Sequence, residues 1–198
     1  MDPMQRIEQA LSAALTGTEL PGGPPRLAAA VRHAVIPGGA RVRPRLCVAV
    51  ALACGDDDPA LTDATAAALE LLHCASLVHD DLPCFDDSPL RRGVPSVHSA
   101  FGERLAVLAG DALIVLAFQV LAAAPAAHPQ RVAGLIGQLA RGVGQPHGIV
   151  AGQAWECEPQ VSLRDYQRAK TGALFAAATM AGAEAAGAPT APWRALGE

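Results

Sequence analysis

The sequence D-D-L-P-C-F-D-D-S-P-L-R-R-G, from Asp80 to Gly93, is the most informative stretch of this 198-residue chain. It places four carboxylates within eight positions and follows them with two adjacent arginines: Asp80, Asp81, Asp86, Asp87, Arg91 and Arg92. Apolar, helix-like runs lie on both sides of it, at 66–78 and 105–124. A charge cluster this dense between two core-forming segments is not typical of an ordinary solvated helix face.

Electrostatic repulsion limits what such a cluster can be. Two carboxylates about 4 Å apart repel each other by roughly 4 kcal/mol at an effective dielectric constant near 20. The group must therefore raise a pKa or bind a cation. Mg²⁺ bridges one or two carboxylates to substrate phosphates, and guanidinium groups bind phosphate oxygens in bidentate fashion. Charge density alone leaves two interpretations open: a diphosphate clamp, or a surface loop whose acids pair with its own arginines.

Composition favours an all-α domain. Hydrophobic residues make up 51% of the chain and aromatic residues only 4%, so the core is aliphatic and rich in alanine, which favours helices. We predict helices at 6–15, 27–35, 44–53, 66–78, 105–124, 130–143 and 163–186. We expect Thr62 or Asp63 to cap the long fourth helix and Pro83 to end it. No segment shows a convincing strand alternation, and the length fits one domain.

Charge and hydropathy exclude several function classes. The net charge of −4 argues against a nucleic-acid partner or an anionic membrane surface. The N-terminal residues do not form a secretory signal. The run 105–124 contains Asp111 and Gln119, so we interpret it as a buried helix and not as a membrane span. Five cysteines without a C-x-x-C pair indicate reduced thiols and a cytoplasmic protein.

Several other polar residues lie at positions where they could contribute to the same site. His73 and Ser76 precede Asp80 by seven and four positions, so on a helix they share its face. Arg41 and Arg43 follow two glycines at the start of a helix, a position that favours anions. Three more polar residues lie in apolar surroundings further on: Gln153, Lys170 and Thr171. Each of them, taken singly, is also compatible with a purely structural role.

Together, six ordered blocks resemble the trans-type polyprenyl diphosphate synthases over residues 27–182. The blocks are G-G-A-R-V-R-P at 38–44, the aspartate-rich stretch with its flanks at 73–98, F-G-E at 101–103, A-G-D-A-L at 109–113, G-Q-A-W-E at 152–156 and K-T-G-A-L-F at 170–175. The resemblance implies an isoprenoid-synthase helical bundle around a central cavity, normally a homodimer. It also implies the head-to-tail condensation of an allylic prenyl diphosphate with isopentenyl diphosphate.

The resemblance assigns roles residue by residue. Asp80 and Asp86, supported by Asp81 and Asp87, would hold Mg²⁺ on the allylic diphosphate. Asp80, Asp86, Lys170 and Arg91 would carry the catalytic step. Isopentenyl diphosphate would bind the cationic group made of Arg43, His73 and Arg92. The allylic side would be lined by Arg91, Gln153, Lys170 and Thr171.

Product length in this family is set by the floor of an apolar tunnel. The resemblance places Ala75, with Ser76 beside it, at that floor. Each further five-carbon unit gains up to about 4 kcal/mol when fully buried, at about 0.8 kcal/mol per CH₂ group. Because both residues are small, we expect geranylgeranyl diphosphate or a longer product.

Two departures from the family pattern qualify this expectation. Ala40 replaces the family's lysine in G-G-K-R, which predicts weaker binding of isopentenyl diphosphate unless Arg41 compensates. The second D-D-x-x-D motif of the family does not occur by Glu198. We therefore expect residues 1–198 to be a single prenyl-synthase domain that lacks its C-terminal helices, the N-terminal two-thirds of a longer protein, and inactive alone.

The alternative is a non-catalytic subunit or regulator of the same fold. Ala40 and the missing motif support that interpretation, whereas the intact first motif opposes it. A metal-binding helical module unrelated to diphosphates is a third interpretation, and the ordered blocks oppose it.

Overall fold

One long buried helix, α4 (Pro59–Asp80), organises the fold and delivers the aspartates to its C-terminal end. The structure, a computed structural model, describes residues 2–197. Asp58 caps α4 by accepting a hydrogen bond from the Leu61 backbone N–H at 3.2 Å, and Pro59 occupies the first turn. The predicted caps, Thr62 and Asp63, are therefore wrong by about one turn, because an Asp-Pro pair is the stronger start signal. The helix ends at Asp80, three residues before Pro83, as predicted.

The other elements confirm the all-α prediction. In chain order the α-helices are α1 (Pro3–Thr16), α2 (Pro25–Val35), α3 (Val42–Ala53), α4, α5 (Val97–Phe101), α6 (Glu103–Ala122), α7 (Val132–Val143), α8 (Ile149–Ala154), α9 (Leu163–Gln167), α10 (Ala173–Ala185) and α11 (Arg194–Gly197). Short 3₁₀ segments cover Gly17–Glu19, Pro129–Arg131, Trp155–Cys157 and Ala191–Trp193. The helix predicted at 163–186 is divided by a π-helix, Arg168–Gly172, between α9 and α10.

A short antiparallel hairpin was not predicted. Strands β1 (Leu90–Arg91) and β2 (Val94–Pro95) pair across a turn in which Arg92 has φ 53° and Gly93 has φ 80°. Positive φ at both central residues matches the right-handed twist of a two-residue hairpin. Strands of two residues are too short to show an alternating pattern, so the sequence prediction missed them. The hairpin places Arg91 against Asp81 at the end of α4 and Arg92 near Glu70 in the middle of that helix.

The core surrounds α4, which packs against α1, α3, α6 and α10. Its most apolar 18-residue window is 78% buried. Close approach to α3 requires Gly182 on α10, where an added Cβ would overlap the Cys47 carbonyl oxygen. Small side chains thus let the helices around α4 approach each other closely, which fits the alanine-rich composition.

Helix α6 is covered on one side only. By length and composition, α4 and α6 are both apolar enough to cross a membrane, but only 39% of the corresponding window of α6 is buried. The prediction of a buried helix at 105–124 is therefore wrong for its outer face, where Val107, Leu108 and Val115 are about half exposed. The periodic pattern correctly identified the inner face of α6. It could not show that the outer face is left uncovered by the described elements.

Candidate active site

The aspartate-rich loop folds back over the C-terminal end of α4. The Asp86 N–H donates to the Asp80 carbonyl oxygen at 2.9 Å, and the Ser88 N–H donates to the Asp81 carbonyl oxygen at 3.2 Å. These bonds satisfy carbonyl groups that the end of the helix would otherwise leave unpaired. The loop thereby places the second aspartate pair close to the first.

Three carboxylates converge at this end of α4. Oxygen atoms of Asp80, Asp86 and Glu156 all lie within 4.8 Å of one another, with Asp80 buried and the other two exposed. Such a set of hard oxygen donors on an open rim fits Mg²⁺, which keeps several waters and shares substrate phosphates. Glu156 is not among the site residues predicted from the sequence. Its position at the end of G-Q-A-W-E, three residues after Gln153, was the available signal.

Lys170 lies inside this acidic group. Its Nζ donates to Asp80 Oδ1 at 3.2 Å and to Glu156 Oε1 at 2.5 Å. Burial alone would lower the pKa of the ammonium group, but the hydrogen bond to Glu156 and the charge of Asp80 raise it well above its usual range. Tyr166 also donates its hydroxyl to Glu156, at 2.5 Å. The lysine is therefore a permanent cation that two carboxylates hold.

The backbone around Lys170 has an unusual helical form and lies directly against α8. Lys170 and Thr171 belong to the π-helix, a form often found at functional sites. Gly152 on α8 lies directly against it, since a Cβ there would overlap the Lys170 backbone. Gln153, the next residue, donates its Nε2–H to Asp80 Oδ1 at 3.3 Å and to the Ser76 carbonyl oxygen at 3.0 Å. Thus the structure brings Asp80, Gln153 and Lys170 together.

The remaining two aspartates of the stretch have different surroundings. Asp81 is almost fully buried, and its carboxylate forms an ion pair with the Arg91 guanidinium, whose Nε donates to Oδ1 at 3.0 Å. This partner raises the pKa of Arg91 above its usual range. Asp87 has φ 47°, its side chain is 71% exposed, and its carboxylate lies 3.9 Å from His98 Nε2. In the structure described, neither Asp81 nor Asp87 belongs to the three-carboxylate group.

A second, cationic group lies about two helical turns before Asp80 on α4. Arg43 Nη1 lies 3.3 Å from His73 Nε2, and the Arg43 guanidinium stacks over the Phe175 ring at 4.4 Å from its centroid. Arg43 Nε is buried without a hydrogen-bond partner. Burial and the neighbouring arginines, above all Arg43, lower the pKa of His73 to about 3. The imidazole is therefore neutral at physiological pH, and its Nε2 accepts a hydrogen bond from Arg43 Nη1.

Arg92 completes this group from the hairpin. Its guanidinium lies against Gly39, where an added Cβ would overlap it, and its Nη2 is 3.6 Å from Glu70 Oε1. Seven residues of helix rise by about 10 Å, so His73 and Asp80 place the cationic group and the acidic group about that far apart on one face of α4. The predicted residues thus form two neighbouring but distinct clusters.

Arg41 does not take part in either cluster. Its side chain is buried, and it donates to Glu8 at 2.9 Å, to Glu70 at 2.8 Å and to the Val35 carbonyl oxygen at 2.9 Å. Its backbone is in the left-handed region, with φ 48°. Each of its three guanidinium nitrogens donates to α1, α2 or α4, so this buried side chain does not replace the cation that is missing at Ala40.

The two small residues predicted to set product length face different neighbours. Ala75 is buried, one turn before His79, whose ring covers Gly110 of α6. Ser76 is half-buried, donates its hydroxyl to the His73 carbonyl oxygen at 2.8 Å, and offers its own carbonyl oxygen to Gln153. Ser76 is therefore on the side of the acidic cluster, whereas Ala75 is on the side of α6.

Comparison with known proteins agrees with these features. The family model for polyprenyl synthetase matches residues 24–198. The chain is 59% identical over 193 residues to a geranylgeranyl diphosphate synthase of Cereibacter sphaeroides, covering 98% of this chain and 67% of that protein. It is 58% identical, with the same coverage, to a geranylgeranyl diphosphate synthase of Rhodobacter capsulatus.

Solved structures give the same result. A geranyltransferase from Legionella pneumophila superposes with a TM-score of 0.85 at 35% identity, covering 98% of this chain and 71% of that one. A geranyltransferase from Helicobacter pylori, complexed with magnesium and isoprenyl diphosphate, superposes with a TM-score of 0.84 at 30% identity over 98% and 69% of the two chains. The chain thus spans about two-thirds of the length of its relatives, and over that span it belongs to the polyprenyl synthetase family.

Proposed function

We propose that this protein is a Mg²⁺-dependent prenyltransferase that condenses an allylic diphosphate with isopentenyl diphosphate to give geranylgeranyl diphosphate. The observation that carries the proposal is the pair of clusters on one face of α4, one acidic and one cationic, about 10 Å apart. A metal-bound diphosphate suits the first cluster and a metal-free diphosphate suits the second. The geranylgeranyl diphosphate synthases at 58–59% identity support this choice of product class.

The acidic cluster would promote departure of the allylic diphosphate. Asp80 and Asp86 would hold Mg²⁺, which when bound neutralises the leaving group. Lys170 and Arg91 would donate hydrogen bonds to the same diphosphate, with Gln153 and Thr171 lining its allylic side. Cations aimed at charge that develops in the transition state are the main source of rate in such a step. Asp81 would keep Arg91 directed at the diphosphate, since it already fixes the guanidinium.

The cationic cluster would hold the second substrate. Arg43 and Arg92 would bind the diphosphate of isopentenyl diphosphate, and neutral His73 would orient Arg43. The allylic C–O bond breaks, the isopentenyl double bond forms the new C–C bond, and a proton leaves to the departing diphosphate. No nucleophilic side chain is needed, but the apolar residues around the site must exclude water, which would trap the allylic cation.

The direct test uses the protein expressed from its complete reading frame. It is incubated with Mg²⁺, farnesyl diphosphate and labelled isopentenyl diphosphate, and the products are separated by chain length. We expect a C20 diphosphate. Binding of both substrates without a prenyl product would instead favour a non-catalytic subunit or regulator. Ala40 supports that alternative, and so does Arg41, whose side chain is bonded to Glu8 and Glu70.

Product length offers a second test of the same site. Ser76→Phe is expected to shorten the main product to C15 or less, because a ring beside the acidic cluster would fill the space for the growing chain. Ala75→Tyr is the matched variant. Because Ala75 packs towards α6, the added ring would also lower the stability of the protein by about 1–3 kcal/mol through overpacking. The products are identified by chromatography of the dephosphorylated alcohols. Unchanged products from both variants would contradict the assignment of these positions.

We further propose that α6 forms a homodimer interface with a second copy of this chain. Arg104, Leu108, Asp111 and Val115 recur at helical spacing along its exposed face. Two copies related by a two-fold axis near Leu108 would place Arg104 of each opposite Asp111 of the other, which is the self-complementary arrangement that a symmetric dimer requires. The apolar residues between them would be removed from water.

Leu108→Glu is expected to convert the dimer to a monomer, because it places two like charges near the two-fold axis. Light scattering after size-exclusion chromatography measures the mass. Leu20→Glu is the control, since Leu20 is exposed but lies outside α6. A monomeric wild-type protein, or a Leu108→Glu variant that remains dimeric, would contradict the proposal. The five free cysteines agree with a reducing, cytoplasmic location, which we also propose.

A further inference from the structure

Lys170 is the only lysine in the chain, which otherwise uses 14 arginines for its cations, as the total of 15 basic residues shows. This one lysine lies among the carboxylates that are proposed to hold Mg²⁺. Its Nζ is 3.2 Å from Asp80 and 2.5 Å from Glu156. The choice of lysine at this position, in a chain so rich in arginine, calls for a physical reason.

The ammonium group occupies space that a metal ion would need. Asp80, Asp86 and Glu156 have oxygen atoms within 4.8 Å of one another, and Nζ bonds to two of these three residues. An ammonium is a compact, strongly hydrated point charge on a flexible stem, whereas a guanidinium would engage two carboxylates in a rigid fork. A lysine can therefore offset part of the negative charge and still rotate away, which an arginine would do far less readily.

Glu156 holds the lysine in this position. It accepts hydrogen bonds from both Lys170 and Tyr166, and its side chain is 30% exposed. Asp80 provides the other contact, at a longer distance. Gln153 occupies the remaining direction of Asp80 Oδ1. One positive charge thus offsets part of the charge of the three carboxylates, and two of them are hydrogen-bonded in the absence of ligand.

We propose that Lys170 is a tethered cation that competes with divalent metal for Asp80 and Glu156, and that Glu156 is the positioning residue that holds it there. The inference depends on the proposed function for the identity of the metal and the diphosphate. An arriving diphosphate draws Lys170 onto its oxygens, and the carboxylates become free to bind the metal that accompanies it. The site therefore favours the metal–diphosphate pair and disfavours the bare metal.

The first test measures bare metal affinity. Mn²⁺ replaces Mg²⁺, and its free concentration is read by electron paramagnetic resonance in the absence of any diphosphate. Lys170→Met is expected to bind Mn²⁺ about tenfold more tightly than wild type, because the competing charge is removed. Lys170→Arg keeps the charge and is expected to bind no more tightly than wild type. Arg26→Met, which removes one positive charge from an exposed position of α2, controls for net charge and should leave the affinity unchanged.

The second test follows the lysine itself and needs no substitution. With ¹³Cε-labelled lysine and a lysine-free tag, the protein gives a single lysine signal in a ¹³C-edited NMR spectrum. We expect little change when Mg²⁺ is added alone and a clear shift when inorganic pyrophosphate is added with it. Glu156→Gln is expected to shift the signal towards that of a mobile lysine before any ligand is added.

The outcomes separate the two proposals. Equal Mn²⁺ affinity in wild type and Lys170→Met, no Mn²⁺ binding by Lys170→Met, or a lysine signal that ignores magnesium pyrophosphate would each overturn the role of Lys170. Failure to form a prenyl product while the lysine signal still responds as expected would overturn the proposed function and leave the tethered cation in place.

Discussion

Replacing Asp80 with asparagine is expected to lower the kcat of prenyl transfer by about 10³-fold or more, because the allylic diphosphate loses an anionic anchor for its metal. Asparagine has the same shape and keeps the hydrogen bonds from Gln153 and Lys170, so the fold should survive. What it lacks is the negative charge. Steady-state kinetics with farnesyl diphosphate and isopentenyl diphosphate measure the effect, and circular dichroism confirms the fold.

The neighbouring aspartates provide graded comparisons. Asp86→Asn should also lose most activity, since Asp86 shares the three-carboxylate group with Asp80. Asp87→Asn should have a much smaller effect, because Asp87 is largely exposed and asparagine tolerates its left-handed backbone. Equal losses at Asp86 and Asp87 would show that charge density, and not the geometry of the cluster, determines activity.

Arg41→Ala is expected to lower the free energy of unfolding by about 3–5 kcal/mol, the usual cost of breaking a buried ion pair from one side. Arg41 is 2% exposed and joins Glu8 of α1, Glu70 of α4 and the Val35 carbonyl oxygen of α2. Without it, Glu70 keeps two longer contacts, to Arg92 Nη2 at 3.6 Å and to the Cys74 thiol at 3.9 Å. Guanidinium unfolding followed by circular dichroism gives the free energy.

Arg32→Ala is the matched control for Arg41. Arg32 forms one ion pair, with Glu19, and both side chains are more than one-third exposed. Solvent screens exposed pairs of this kind, so they contribute little to stability. A similar loss of stability in the two variants would contradict the structural role of Arg41, and it would reopen a substrate-binding role for this residue.

Much of the fold was predictable because its signals are local. Helix periodicity and composition identified the longer helices but missed the short helices α5, α8 and α11, and Pro83 marked the end of α4. The cap of α4 was misplaced because Thr62 and Asp63 are also good caps by residue type, and only the folded chain shows that Asp58 accepts the Leu61 N–H. The hairpin at 90–95 and the uncovered face of α6 depend on contacts between elements, which no local pattern contains.

The sequence predicted many residues of the site but not which charged residues pair with each other. The aspartate stretch and its helical spacing identified Asp80 and His73 as neighbours on one face. The spacing could not show that Asp81 is held by Arg91, that Arg41 is buried, or that Glu156 reaches Asp80 from 76 positions away. These pairings depend on which charged groups the tertiary structure buries. A buried acid requires a partner, whereas an exposed acid does not.

The central claim is that Asp80 and Asp86 together hold a divalent metal on a diphosphate. An anomalous difference map from crystals grown with Mn²⁺ and inorganic pyrophosphate tests it most directly. We predict a peak about 2.1 Å from a carboxylate oxygen of each residue, the distance typical of a hard six-coordinate cation, with Lys170 moved onto the pyrophosphate. A map with pyrophosphate bound but no peak between Asp80 and Asp86, or with Lys170 still between Asp80 and Glu156, would contradict it.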